Sequence, residues 1–147
     1  MKTFFDKDQQ EEFQQRLQKL NAQAASQWGK MNAAQMLAHC TAAFQVPVGD
    51  LQVKRTPLSL IGWMFKGMIV SEKPFSKNSP TTAEFVVQDE RDFQKERERF
   101  LEVFQKVAQG PGAITCFRHP FFGKMSTEDW GQLIYKHLDH HFRQFGL

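Results

Sequence analysis

Four stretches of this chain carry apolar residues at helical spacing, and each is cut off by residues that a helix does not readily contain. In the first, from about Asp6 to Ala24, Phe13, Leu17, Leu20 and Ala24 stand at i, i+4, i+7 and i+11. They share one stripe, while Gln, Glu, Lys and Arg fill the other faces. Asp6 is a candidate N-cap. Trp28-Gly29-Lys30 breaks the pattern, and Asn32 with Gln35 three residues later reads as a capping box opening a second helix. That helix runs to about Gln45 with Met36, Leu37, Cys40 and Phe44 inward, and Pro47 and Gly49 end it. A third, from about Asp89 to Ala108, aligns Phe93, Phe100, Leu101, Phe104 and Val107 before Gly110-Pro111-Gly112 stops it. The last starts at Ser126, with Asp129 three residues on and Glu128 beside it, where the helix dipole favours negative charge. It reaches about Phe145, and Gly146 closes it. With no convincing strand pattern and no repeat of solenoid length, the pattern predicts an all-α four-helix bundle.

Residues 46–88 are less regular, and so long a link between the second and third helices implies a crossover connection. Within it, Leu58 to Val70 is apolar nearly all round and follows Pro57, a favoured first helical position. It predicts one short extra helix, buried or covered by a partner. It is too short to span a bilayer, and Met1 to Asp8 lacks the apolar core of a signal peptide. Cys40 and Cys116 are too few for a disulfide framework, so reduced thiols and a cytoplasmic location are expected. The 147 residues fit one domain, residues 1–147, large enough to bury its own core. The net charge of +3 raises the question of nucleic acid, but the charges interleave, as in Lys95-Glu96-Arg97-Glu98-Arg99. That mixing reads as a solvated helix face, so neither a nucleic-acid nor a membrane partner is expected.

The histidines carry the chemistry. His137 and His141 are four residues apart on the last helix, about 40° apart in angle and roughly 6 Å along the axis, so both face one way. Trp130, Ile134, Leu138 and Phe145 flank that face, which points both rings into the bundle. Two imidazoles so placed can share a metal ion, although one carbonyl or hydroxyl can also satisfy a buried histidine. His39, on the flank of the second helix's apolar stripe, is a third candidate. His140 belongs nearer the rim, and His119, before Pro120, is read as ordering the loop that enters the last helix. Cys40, Trp130 and Met36 read as core, and Tyr135 as structural or surface.

Two blocks resemble the DinB/YfiT-like superfamily of helical metalloenzymes. One is Trp28-Gly29-Lys30-Met31-Asn32 through His39, which looks like the entry to that superfamily's second helix. The other runs from His119-Pro120-Phe121-Phe122-Gly123 through His137-Leu138-Asp139-His140-His141 to Gly146 and looks like its last helix. The resemblance implies a four-helix bundle, often a homodimer, with a three-histidine site for a divalent metal. Carried onto this chain, the ligands are His39, His137 and His141. It also implies metal-dependent transferases acting on small thiols, with some hydrolases.

Three neutral imidazoles leave a divalent ion with its charge uncompensated and a coordination position open, the pattern of a catalytic site. They do not choose among Zn²⁺, Ni²⁺ and Fe²⁺. In a helical H-E-x-x-H arrangement a Glu follows the first His as base, but here Leu138 stands there, and Asp139 lies about 200° round the helix. A bound thiol needs no such base, because a metal deprotonates it directly. Transfer of a small thiol to an electrophile is therefore the first expectation. Metal-assisted hydrolysis is the second, and a non-catalytic module that dimerises or docks through Leu58–Val70 is the competing class.

Overall fold

The computed structural model describes residues 1–147. Its helices, in chain order, are α1 (Lys7–Lys19), α2 (Ala33–Gln45), α3 (Ser59–Gly62), α4 (Gly67–Val70), α5 (Phe93–Val107) and α6 (Thr127–Gln144). The four long ones, α1, α2, α5 and α6, form an all-α bundle with the crossover running between α2 and α5. Each contributes to one apolar cluster: Phe13 and Leu17 from α1, Leu37 and Phe44 from α2, Phe100 and Phe104 from α5, and Leu138 and Phe142 from α6. Phe4, ahead of α1, plugs the end of this core, its ring edge-on to Phe44 at 5.2 Å and to Phe104 at 4.9 Å.

Caps decide where the helices start. Asn32 accepts from the Gln35 N–H at 2.9 Å while Gln35 accepts from the Asn32 N–H at 3.0 Å, so the capping box forms. Ser126 and Asp129 form the equivalent pair at 3.0 and 2.8 Å. The Asp92 carboxylate caps α5 by accepting from the Lys95 N–H at 2.8 Å, so the helix begins at Phe93 and not near Asp89. α1 stops at Lys19, short of the expected Ala24. Leu20 turns extended, and the Asn21 side chain accepts from the Gln23 N–H at 3.0 Å, a local bond that competes with the helix.

Three further departures from the sequence reading have local causes. Arg118–His119 pairs with Gly123–Lys124 in a two-residue antiparallel ladder, too short to leave a period-2 signature. Glu96, read as part of a solvated face, is buried, and Arg91 and Arg99 neutralise it at 3.3 and 3.2 Å. The segment Leu58–Val70 is not a buried helix. It is a helical path broken by a 3₁₀ turn at Trp63–Phe65, and only Gly62 and Ile69 are buried. Leu60 is 80% exposed, and Trp63 and Met64 are each 65% exposed. No helix is long and apolar enough to cross a membrane.

Gly62 presses this segment against the body, since a Cβ there would lie 1.7 Å from the Phe121 carbonyl oxygen. Alanine is intrinsically the better helix former by about 1 kcal/mol. Gly62→Ala should nevertheless lower the thermal midpoint, because backbone has to move to admit the methyl group. A raised midpoint in a calorimetric scan would show that the contact does not hold the segment.

Candidate metal centre

The α2 capping box sets the register that points the His39 ring into the bundle, and the long α6 places His137 and His141 one turn apart facing it. The rings meet. Centroids lie 5.0 Å apart for His39 and His137, 4.5 Å for His39 and His141, and 4.6 Å for His137 and His141. One ligand nitrogen from each lies within 4.8 Å of the others. The Nε2 atoms of His39 and His137 are 3.0 Å apart. Two nitrogens bound to one ion at about 2.0–2.1 Å each would sit roughly 2.9–3.4 Å apart, so this pair already has the span of a shared ligand set.

The protein fixes which nitrogens are free. Nδ1 of His39 lies 2.7 Å from the Phe85 carbonyl oxygen, which only accepts, so Nδ1 carries the proton and Nε2 keeps its lone pair. Gln144 donates its Nε2 to the Trp28 carbonyl at 2.8 Å, which turns its Oε1 toward Nδ1 of His141 at 2.9 Å. His141 therefore also donates from Nδ1 and holds Nε2 as a lone pair. Such outer acceptors orient metal-binding histidines and set their tautomers. His137 has no such partner, and its buried Nδ1 bonds to nothing.

This arrangement fits a cation. Each ring is held neutral, with the pKa of all three below the ordinary histidine value. Burial is the chief cause, opposed at His39 by the Phe85 carbonyl and reinforced at His137 by repulsion from His141. His141 is pushed down to about 3, again mainly by burial. Three neutral rings bring three protons to six nitrogens, and two of those protons point outward. If His137 gives its proton to His39 Nε2, its Nδ1 is bare and buried. If it keeps the proton on Nδ1, two lone pairs face each other at 3.0 Å. A cation shared by the inward lone pairs removes that conflict, because the opposed lone pairs become its ligands.

The other candidates fall outside the cluster. His140 lies at the rim between Trp28 and Phe75, with ring centroids 5.7 and 6.3 Å away. His119 orders its loop as expected: its Nδ1 accepts from the Phe121 and Phe122 N–H groups at 3.0 and 3.1 Å. Asp139 faces away, held at 2.8 Å by Arg16 and at 2.8 Å by Arg143. Cys40 is buried in the core, where burial pushes its thiol pKa up, and Tyr135 packs on Phe13 at 5.4 Å. His39 sits deeper than its flank position suggested, because the 3₁₀ turn Ala83–Phe85 packs over α2 and covers it. The sequence reading missed Phe85, Trp28 and Gln144. Gln144 left a usable signal, since it stands three residues beyond His141 on the same helix face. Phe85 and Trp28 act through backbone carbonyls, which leave none. Two surface cavities, of about 280 and 670 Å³, are lined by none of the three clustered histidines, and the smaller runs along α6 beside Lys2, Phe75 and Lys136.

The family profile described as "Protein of unknown function (DUF1569)" matches residues 4–146, from the residue that plugs the core to the glycine that ends α6. The chain belongs to the DUF1569 family. The match takes in α2 and α6 together, so all three histidines of the cluster lie inside the DUF1569 region. No curated protein and no solved structure matches the chain.

Neutral buried histidines have a consequence in acid. The unfolded chain protonates them near pH 6.5, whereas the folded chain takes up the His119 proton only near pH 4, where burial has pushed that ring. The unfolded state binds more protons between these values, so stability falls as pH drops through that window. Urea unfolding of metal-free protein should show this slope, and His119→Gln, which keeps an acceptor for the two N–H groups, should reduce it by up to about one proton. An unchanged slope would mean that His119 titrates normally.

Proposed function

We propose that this chain is a DinB/YfiT-like metalloenzyme in which His39, His137 and His141 hold one divalent ion, Zn²⁺, Ni²⁺ or Fe²⁺, and a small thiol is transferred to an electrophile. One observation carries the reading. Outward hydrogen bonds to the Phe85 carbonyl and Gln144 leave Nε2 of His39 and His141 as lone pairs, His39 Nε2 lies 3.0 Å from His137 Nε2, and one nitrogen of each of the three rings lies within 4.8 Å of the others. The resemblance of both histidine-bearing blocks to that superfamily supports it.

When bound, such an ion supplies a Lewis acid that keeps a thiol deprotonated at neutral pH. The chain's own residues do the rest. The three rings contribute no charge, so nothing in the ligand set offsets the cation's attraction for an anionic thiolate. Burial lowers the pKa of all three rings, furthest at His137 and His141, so protons compete less for the ligand nitrogens near neutrality. Leu138 stands where a hydrolase of the H-E-x-x-H kind carries its base, and Asp139 is tied to Arg16 and Arg143. Thiol transfer, which brings its own nucleophile, needs neither. Because the Ala83–Phe85 turn covers His39, that turn has to move aside before an electrophile reaches the cluster.

Protein purified without an affinity tag and equilibrated with each ion in turn should bind one ion per chain, and His137→Ala should bind none. The loaded protein should then consume a thiol in the presence of an electrophile, and the metal-free protein should not. Wild-type protein that takes up no ion at micromolar concentration would overturn the reading. The outer partner gives a finer test. Gln144→Leu should weaken metal binding about 10- to 100-fold relative to wild type. Titration calorimetry of both proteins measures this, and equal affinities would show that Gln144 does not orient the ring.

The neutrality of the site predicts its pH response. A three-histidine site with ordinary pKa values loses roughly a thousandfold in affinity between pH 7.5 and about 5.5, because three protons compete. With all three pKa values depressed, the loss across that range should be well short of a thousandfold. Competition against a chelator of known protonation constants would reveal the steeper dependence if the rings titrate normally.

A further inference from the structure

The segment from Leu58 to Val70 is fastened to the body, yet it turns its large side chains away from it. Gly62 packs against the Phe121 carbonyl, and Ile69 is fully buried in the small cluster beside Trp130. Lys66 bridges to the Lys124 carbonyl and the Asp129 carboxylate, both at 2.8 Å. Lys136 donates to the Ser71 carbonyl at 2.9 Å and to that of Met68, closing the end of α4. What this framework presents outward is Leu58, Leu60, Trp63, Met64, Phe65 and Met68, each at least 43% exposed. Contiguous exposed apolar surface of this kind on a well-anchored element marks a binding face.

Charge selects the occupant. Between residues 51 and 77 the only carboxylate is the exposed Glu72, while Lys54 and Arg55 before the helical path and Lys73 and Lys77 after it are exposed cations. A second copy of the chain seated about a two-fold axis would set this patch against itself and bring four flanking cations from each copy into one rim with a single carboxylate, Glu72, from each. An anionic lipid surface complements both features. Apolar and aromatic side chains enter the boundary between headgroups and acyl chains, and the flanking cations meet lipid phosphates. The absence of a membrane-spanning helix does not bear on this mode, which needs only a few side chains at shallow depth.

We propose that residues 54–77 form a docking surface for anionic membranes, with Leu60, Trp63 and Met64 inserting and Lys54, Arg55, Lys73 and Lys77 engaging the headgroups. This inference does not depend on the metal reading, and either can fail without the other.

The test uses the full chain without added metal and vesicles of phosphatidylcholine, with or without roughly 30 mol % phosphatidylglycerol. Wild-type protein should co-sediment with the anionic vesicles at least about tenfold more strongly than with neutral ones, and added salt should weaken the binding. Leu60→Ser/Trp63→Ser/Met64→Ser should abolish binding, with an unchanged far-ultraviolet dichroism spectrum showing that the fold survives. Lys54→Glu/Arg55→Glu, outside the helical path, should lower affinity roughly tenfold or more. Folded wild-type protein that ignores anionic vesicles would overturn the proposal, as would binding that persists in the triple variant. Sedimentation of the lipid-free protein should show a monomer. A dimer dissolved by the triple variant would show that a second copy covers the face, and would equally overturn it.

Discussion

Three uncharged imidazoles held within contact of one another inside an apolar bundle present more lone pairs than there are protons to place between them. The contacts around the cluster bear on that imbalance. Burial keeps the rings neutral, since an imidazolium there would lack both solvent and counter-ion. The outward hydrogen bonds of His39 and His141 then commit their protons to Phe85 and Gln144, which turns the remaining nitrogens inward. His137, with no outer partner, is left with a choice between a bare buried nitrogen and a repulsive contact with His39. A cation shared by the inward lone pairs turns the repulsive contact into a ligand set and leaves only His137 Nδ1–H without a partner.

The surrounding structure is arranged so that this imbalance persists. Arg16 reaches from α1 across to Asp139 and the Leu147 carbonyl at 2.8 and 3.1 Å, while its guanidinium lies over Phe13 and Phe142. It removes the one carboxylate that lies between the two α6 histidines in sequence, so no negative charge competes for the cluster's inward face. On the other side, the cover over His39 comes from the crossover connection. Phe75 packs by His140 and Lys77 lies over Trp28 at 4.5 Å, which ties residues 71–78 to the loop that Gln144 also holds. The Phe85 carbonyl that fixes the His39 proton belongs to the turn that covers the ring, so movement of that cover bears directly on how His39 is held.

Much of this was legible in the order of residues. The apolar spacing of Phe13 and Leu17, of Leu37 and Phe44, and of Phe100 and Phe104 marks helices whose inner faces are those seen. Asn32–Gln35 and Ser126–Asp129 mark two starts to the residue, because a cap is a bond between near neighbours. Where a local bond overrode the periodic pattern, the reading overshot: Asn21 ends α1 early, and Asp92 starts α5 late. Glu96 was misread because a charged residue on a mixed helix face carries no mark of the neighbours that will bury it. The outward display of Leu58–Val70 was hidden for a similar reason. A run that is apolar all round has no preferred face, and only contacts with Phe121, Lys124 and Asp129 decide which side is covered.

The chain's own order determined that four amphipathic helices form, where two of them are capped, and that His137 and His141 share a face one turn apart. These follow from interactions spanning at most a few residues, which periodicity and capping record directly. Only the tertiary structure decided that His39 meets His137 from 98 residues away, that the Phe85 carbonyl settles its tautomer, and that an apolar helical path faces outward. Those outcomes depend on how packed elements cross and on backbone groups that every residue carries alike, and neither leaves a mark in the identity of the residues.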